Sequence, residues 1–257
     1  MNEASPLRVW LERDGALLRL RLARPKANII DARMIAALDA AFAEHAANAG
    51  LRAVLIDHEG SHFSFGASVE EHLPAQCAAM LARLHALVGR MMDAPRPILV
   101  AVNGQCLGGG LEFACAGTLL FAASDAQFGQ PEMKLAVFAP AASVLLAPRI
   151  GQARAEDLLY SGRTIDAKTA LEWGLAQSVS EDPEAAALAY FDAHLAGKSA
   201  AALAFAVQAA RGAHAARVKE RLAALERLYL EGLMNTRDAT EGLRAFVEKR
   251  TPKWEHR

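Results

Sequence analysis

The sequence predicts an α/β fold that becomes mainly helical toward its C-terminus. Three observations carry this. Short apolar runs at 52–57, 98–102 and 119–122 are separated by longer segments with helical spacing. A glycine-dense turn at 104–110 joins the second run to a helix. Beyond about residue 140 strand signals fade, and 199–250 reads as helix throughout. Short strands alternating with helices imply an α/β architecture.

Element by element, residues 7–13 and 16–22 alternate apolar and polar positions, and Asp14-Gly15 between them predicts a two-residue hairpin turn. Asp31 is the N-cap of an Ala- and Leu-rich helix running to about 48, ended by Gly50. A buried strand at 52–57 leads into a loop holding Gly60, Ser61, Ser64 and Gly66. The helix at 76–93 stops at Pro95 and Pro97. Strand 98–102, helix 111–116, strand 119–122 and a loop at 128–132 follow. In the tail, breaks are expected near Gly212 and Asn235. Leu222, Leu225, Leu228, Leu230 and Leu233 form an apolar stripe that must pack on the body or on another subunit.

The 257 residues carry 28 Lys+Arg against 29 Asp+Glu, a net charge of -1, with 53% hydrophobic residues. That much apolar surface excludes disorder. Near-neutral charge argues against a nucleic-acid partner, which would need clustered basic residues. Cys77, Cys106 and Cys115 show no C-x-x-C spacing, and an odd, low count fits a reducing compartment. No leader pattern is expected at the N-terminus, and no run reaches the ~18 apolar residues of a membrane helix. These features predict a cytoplasmic protein without a membrane partner.

Three motifs are set aside. His58-Glu-Gly-Ser-His62 has the letters of a zinc-protease motif, but leaves a strand through Gly and Ser instead of lying on a helix, so solvent-exposed loop histidines are expected and no metal. The 104–110 turn lacks the Lys-Ser/Thr of a phosphate loop and the acid of a dinucleotide site. No G-x-S-x-G elbow is present.

What remains is a strand, a glycine turn, and a helix bearing Glu112 in its first turn. Glycines admit a ligand close to the main chain, and the helix start offers unpaired N–H groups to a developing oxyanion. Glu132 follows Pro131 in an apolar stretch, where a low dielectric raises a carboxyl's pKa. Two carboxylates in different settings can divide acid and base roles. The plain alternative is a dipole-favoured helix-start Glu112 and an exposed loop Glu132.

The segment Ala101-Val-Asn-Gly-Gln-Cys-Leu-Gly-Gly-Gly-Leu-Glu112 resembles the signature of the crotonase (enoyl-CoA hydratase/isomerase) family. Phe128-Gly-Gln-Pro-Glu132 resembles its second signature. Arg24-Pro-Lys-Ala27, Phe65-Gly-Ala67 and Phe246-Val-Glu-Lys-Arg250 match further landmarks in order. The resemblance covers essentially the whole chain. It implies a crotonase-like ββα spiral over 1–197, with the active site, and a C-terminal helical trimerisation region over 198–257. It further implies a homotrimer or hexamer, an acyl-CoA thioester substrate, and no cofactor, since CoA is part of the substrate.

By motif position, the backbone N–H groups of Ala67 and Gly109 would form the oxyanion hole, and Glu112 and Glu132 would flank the attacking water. CoA contacts are implied for Lys26, Ala27, Ser64, Phe65, Ala67, Phe246 and Lys249. Both carboxylates together favour hydration over isomerisation, since hydration needs a base for water and an acid for carbon. Phe65 and Ser68 depart from the small residue and the acid usual there, and Phe138-Ala-Pro-Ala-Ala-Ser143 replaces a Gly-rich stretch. These departures place Phe65, Ser68, Phe138, Pro140 and Ala141 around the acyl group. They resemble the branch of the family that hydrates a cyclic conjugated dienoyl-CoA by 1,4-addition in anaerobic aromatic degradation. A flat ring packs well beside aromatic faces. A conventional short-chain 2-enoyl-CoA hydratase, a ring-opening hydrolase and a non-catalytic acyl-CoA-binding protein are the alternatives.

Overall fold

β1 (Leu7–Glu12) and β2 (Leu17–Leu22) form the antiparallel hairpin that opens the fold. A computed structural model describes residues 4–257, so residues 1–3 of the N-terminal stretch read for a leader lie outside the described residues. The hairpin turn is longer than the sequence predicts. Glu12 pairs with Leu17, and two overlapping turns, Gly15 N–H to the Glu12 carbonyl and Ala16 N–H to the Arg13 carbonyl (3.1 Å each), take up residues 13–16.

The chain then repeats one unit. A strand enters a large sheet, a shorter extended segment enters a second sheet, and a helix follows. After β2, Ile30 bridges Ala67 and α1 (Ala32–His45) begins on the Asp31 cap, whose carboxylate accepts the Met34 N–H at 3.0 Å. After β3 (Ala53–His58), Ser64 bridges Cys106 and α2 (Cys77–Asp93) follows. Then come β4 (Ile98–Val102), β5 (Gln105–Leu107) and α3 (Gly109–Ala116), and next β6 (Leu119–Ala123) and β7 (Gln127–Gly129). The large sheet has order β1-β2-β3-β4-β6 and gains β9 at its far edge; all pairs but the first are parallel. The small sheet is β5-β7-β8. β4 reads Ile-Leu-Val-Ala-Val and is buried throughout, as a parallel strand covered on both faces should be.

The remaining elements are α4 (Pro140–Leu145), α5 (Ala147–Ile150), α6 (Gln152–Ser161), β8 (Thr164–Asp166), α7 (Ala167–Trp173), β9 (Ser178–Ser180), α8 (Pro183–His194), α9 (Ala200–Arg227) and α10 (Arg237–Val247). Alternate residues of the large sheet face two apolar cores. Val54, Ile56 and Val100 pack toward α1, α2 and α9, while Leu55, Leu99 and Ala101 pack against Ala187 and Phe191 of α8.

Four strands escape the sequence reading. β5 and β7 lie inside segments expected as turn and loop, and β8 and β9 inside a region expected as helical. Each has three residues, too few to show a period. Gly212 does not break α9. It is exposed, nothing lies within 4 Å of its would-be side chain, and packing on α2 and α4 holds the helix through it. The leucine stripe also departs from expectation. Leu222 is buried but Leu228 is 57% exposed, because a π turn over Leu228–Gly232 shifts the register and Tyr229 points inward instead.

Candidate active site

Three glycines at the β5–α3 junction let other groups come close. Gly108 caps α3 at φ 51, ψ −129, a conformation open essentially to glycine alone. A Cβ there would stand 2.5 Å from Glu132 Oε1. A Cβ on Gly109 would lie 2.9 Å from the Ala67 nitrogen, and one on Gly110 would lie 2.6 Å from the Ser64 Cβ. Gly109 opens α3, where N–H groups lack intrahelical acceptors, and the Ala67 backbone lies beside it. Backbone donors at a helix start are groups of the kind that stabilise a developing oxyanion.

Glu112, in the first turn of α3, is 3% exposed. Its Oε1 accepts the Ala142 N–H from α4 at 2.8 Å. Burial pushes its pKa up, while the Ala142 and Ala141 N–H groups and the His85 charge oppose the rise. Glu132 sits on a 3₁₀ turn (Pro131–Leu135) and is half-buried. Burial and the nearby Glu112 carboxylate push its pKa up to about 8. The buried Gln130 amide lies against both Glu132 oxygens, and with its NH2 turned toward them it donates to both at 2.9 and 3.2 Å. Neither glutamate is an ordinary exposed acid. The pair keeps a proton at neutral pH, because two carboxylates in a low dielectric resist joint ionisation.

A cavity of about 70 Å³ joins Glu112 and Glu132 to Ala67, Gly109, Phe138 and Pro140. Outside it, a groove of about 860 Å³ runs past Phe65, Ala67, Ser68, Lys134, Phe246 and Lys249. Phe65, 43% exposed, belongs to both spaces. Phe246 and Lys249 reach this groove from α10 and its end in the same chain, where α10 lies against the Pro131–Leu135 turn.

Several roles expected from the motifs shift once the side chains are placed. Ser64 is fully buried, its hydroxyl donating to the Asn28 carbonyl (2.8 Å) and accepting from Gly66 N–H (3.1 Å), so it braces the Ala67 loop instead of lining the CoA path. Ser68 lines the outer groove and not the acyl cavity. Ala141 is buried in α4 and its N–H serves Glu112. Lys26 is exposed in a loop outside the groove lining, and the neighbouring Ala27 carbonyl accepts the Phe65 N–H at 2.9 Å.

His58 and His62 are half-buried, not solvent-exposed. His58 Nε2 accepts the Asn103 N–H (3.1 Å) and His62 Nδ1 accepts the Gln105 N–H (3.2 Å), so both secure the strand leading to the glycine turn. Among the described residues no His, Cys, Asp and Glu group is arranged to hold a metal. The sequence reading missed Gln130, quoted in the motif without a role, as well as Gly108 and His72. His72 lines the cavity, and burial holds its pKa below the usual histidine value.

The enoyl-CoA hydratase/isomerase family pattern matches residues 12–257. The chain is 64% identical over 258 residues, 100% of both chains, to the cyclohexa-1,5-dienecarbonyl-CoA hydratase of Thauera aromatica. It is 34% identical to a probable enoyl-CoA hydratase of Bacillus subtilis, over 91% of this chain and 93% of that one. Among solved structures, an enoyl-CoA hydratase from Mycobacterium avium subsp. paratuberculosis superposes with a TM-score of 0.85 at 25% identity, covering 98% of this chain and 99% of the other.

Proposed function

The chain belongs to the enoyl-CoA hydratase/isomerase family, and from that premise we propose that it hydrates cyclohexa-1,5-diene-1-carbonyl-CoA to 6-hydroxycyclohex-1-ene-1-carbonyl-CoA. The observation that carries the reading is the 64% identity to a hydratase of that name, extending over both chains entire. Identity to the protein named enoyl-CoA hydratase is about half as high.

The reaction proceeds as a 1,4-addition. Water held between the carboxyl groups attacks the ring carbon β to the thioester, and Glu112 takes its proton. The thioester oxygen gains charge as a dienolate forms, and the Ala67 and Gly109 N–H groups stabilise it. Glu132 then gives its proton to the γ carbon across the ring. The Ala142 N–H favours the charged form of Glu112, suiting it to the base role. The raised pKa of Glu132, to about 8, keeps it protonated for the acid role. CoA lies along the outer groove, with its adenine end near Phe246 and Lys249, and Phe65 and Phe138 flank the ring. CoA enters as part of the substrate, and no cofactor takes part in this scheme.

The α9–α10 region builds a homotrimer or a dimer of trimers; the exposed Phe205 and Leu228 of this region support an interface role. No described helix is long and apolar enough to cross a membrane.

Turnover of the cyclic dienoyl-CoA and of crotonyl-CoA, followed in parallel by absorbance, tests the substrate. Rapid loss of the cyclic diene with little crotonyl-CoA turnover is expected. The reverse preference would make the chain a short-chain 2-enoyl-CoA hydratase.

A further inference from the structure

His72 is the third polar side chain in the wall of the catalytic cavity. Of the described residues lining that space, all but His72, Glu112 and Glu132 are apolar or glycine. The addition scheme uses both glutamates and leaves His72 without a role.

Its surroundings fix what His72 can offer. Nδ1 stands 2.7 Å from the Ser68 carbonyl. A carbonyl only accepts, so Nδ1 carries the proton and Nε2 carries the lone pair. Burial holds the ring's pKa below the usual histidine value, and this neutral tautomer persists at neutral pH. Nε2 has no partner among the described residues, and unlike the unpaired Nε2 of His85 it is not sealed from open space. The cavity that His72 lines is the one holding both glutamates. The Ser68 bond calls for one donor, which an asparagine would supply. The wider ring adds an acceptor to an otherwise apolar stretch of wall.

The chemistry has a use for that acceptor. The attacking water brings two protons. One goes to Glu112, and the other stays on the oxygen as the hydroxyl proton of the product. The backbone N–H groups and protonated Glu132 act as donors in this step, so they do not meet that O–H. A hydroxyl enclosed without an acceptor is penalised.

We propose that His72 Nε2 accepts a hydrogen bond from the O–H of the oxygen being added, first on the attacking water and then on the ring hydroxyl of the product. The proposal rests on the hydratase reading above. It makes His72 a specificity residue for the hydroxylated ring, since a ring without a hydroxyl offers Nε2 no proton.

Two substitutions separate this role from the Ser68 bond. His72→Asn keeps a donor near the Nδ1 position and removes Nε2. His72→Gln places a carbonyl oxygen near the Nε2 position. The assays are dehydration of the 6-hydroxy thioester, hydration of the cyclic diene, and competitive inhibition by cyclohex-1-ene-1-carbonyl-CoA, which lacks the hydroxyl. His72→Asn should raise KM for the 6-hydroxy thioester about 5- to 10-fold and lower hydration kcat by the same factor. The inhibition constant of the hydroxyl-free thioester should stay within twofold of the parent. His72→Gln should recover most of the loss. Equal shifts for the hydroxylated and hydroxyl-free thioesters would overturn the assignment, marking His72 as a residue that only shapes the cavity. An Asn variant with the parent's constants would also overturn it, in favour of the Ser68 bond, as would a Gln variant that recovers nothing. These outcomes leave the hydratase reading standing. A parent enzyme that fails to turn over the cyclic diene would remove that reading, and this assignment with it.

Discussion

Raising the pH should switch this site off through Glu132. With a pKa of about 8, this carboxyl is about nine-tenths protonated at pH 7 and about one-tenth at pH 9. An ordinary exposed glutamate would be protonated in only about 0.3% of molecules at pH 7, a deficit of roughly 300-fold. If Glu132 supplies the proton to carbon, hydration kcat/KM should fall about tenfold between pH 7 and 9. The loss belongs to the Glu112–Glu132 pair, which shares its proton, so dehydration should show the same upper limb. Glu132→Gln should lower turnover by about 10²–10⁴-fold and flatten that limb, while acyl-CoA binding persists. The assay is initial-rate hydration of the cyclic dienoyl-CoA at constant ionic strength, with binding measured by calorimetry. A parent profile flat from pH 7 to 9, or a Gln variant that keeps both its rate and the limb, would refute the acid role.

Four further outcomes follow from the same geometry. The fold holds the Glu132 proton to about pH 8, whereas the unfolded chain releases it near 4.5; this contribution to stability is complete below about pH 4.5 and is lost as pH rises through 8. Urea titrations should therefore show the parent losing more stability than Glu132→Gln from pH 5 to 9. Gly108→Ala should destabilise by about 1–3 kcal/mol from its backbone conformation and cut kcat further by displacing the Glu132 carboxylate, seen by denaturation and steady-state rates. Asp57→Ala should cost about 3–5 kcal/mol in denaturant unfolding, because it strips Arg19, 2% exposed, of its buried partner. Phe246→Ala should raise KM for the CoA thioester about tenfold at constant kcat, through lost stacking on the adenine.

Much of the site is legible in the sequence because it sits on contiguous motifs. The strand–glycine–helix order places Glu112 one turn above the Gly109 amide, and the apolar context of Pro131-Glu132 announces a raised pKa. The first helix, its Asp31 cap and the all-apolar β4 read correctly for the same reason: each is a local pattern with one physical solution. The misreadings share a different origin. The small sheet is built from three-residue strands and from single bridges at Ile30–Ala67 and Ser64–Cys106, whose pairing is decided by chain segments far apart in sequence. Ser64 looks like a ligand-facing loop serine until Asn28, also buried and remote in sequence, claims its hydroxyl. Tyr229 is hidden by a register shift. Helical periodicity selects Leu228, and only the π turn exchanges it for the tyrosine.

Hydration in deuterated water, with NMR location of the label, distinguishes 1,4-addition across the paired carboxyls from addition at neighbouring carbons. One deuterium is expected on ring carbon 3 of 6-hydroxycyclohex-1-ene-1-carbonyl-CoA, opposite the carbon that receives the hydroxyl. Deuterium on the α carbon, next to the thioester, would mean ordinary 1,2-hydration and would contradict the proton path from Glu132 to the γ carbon.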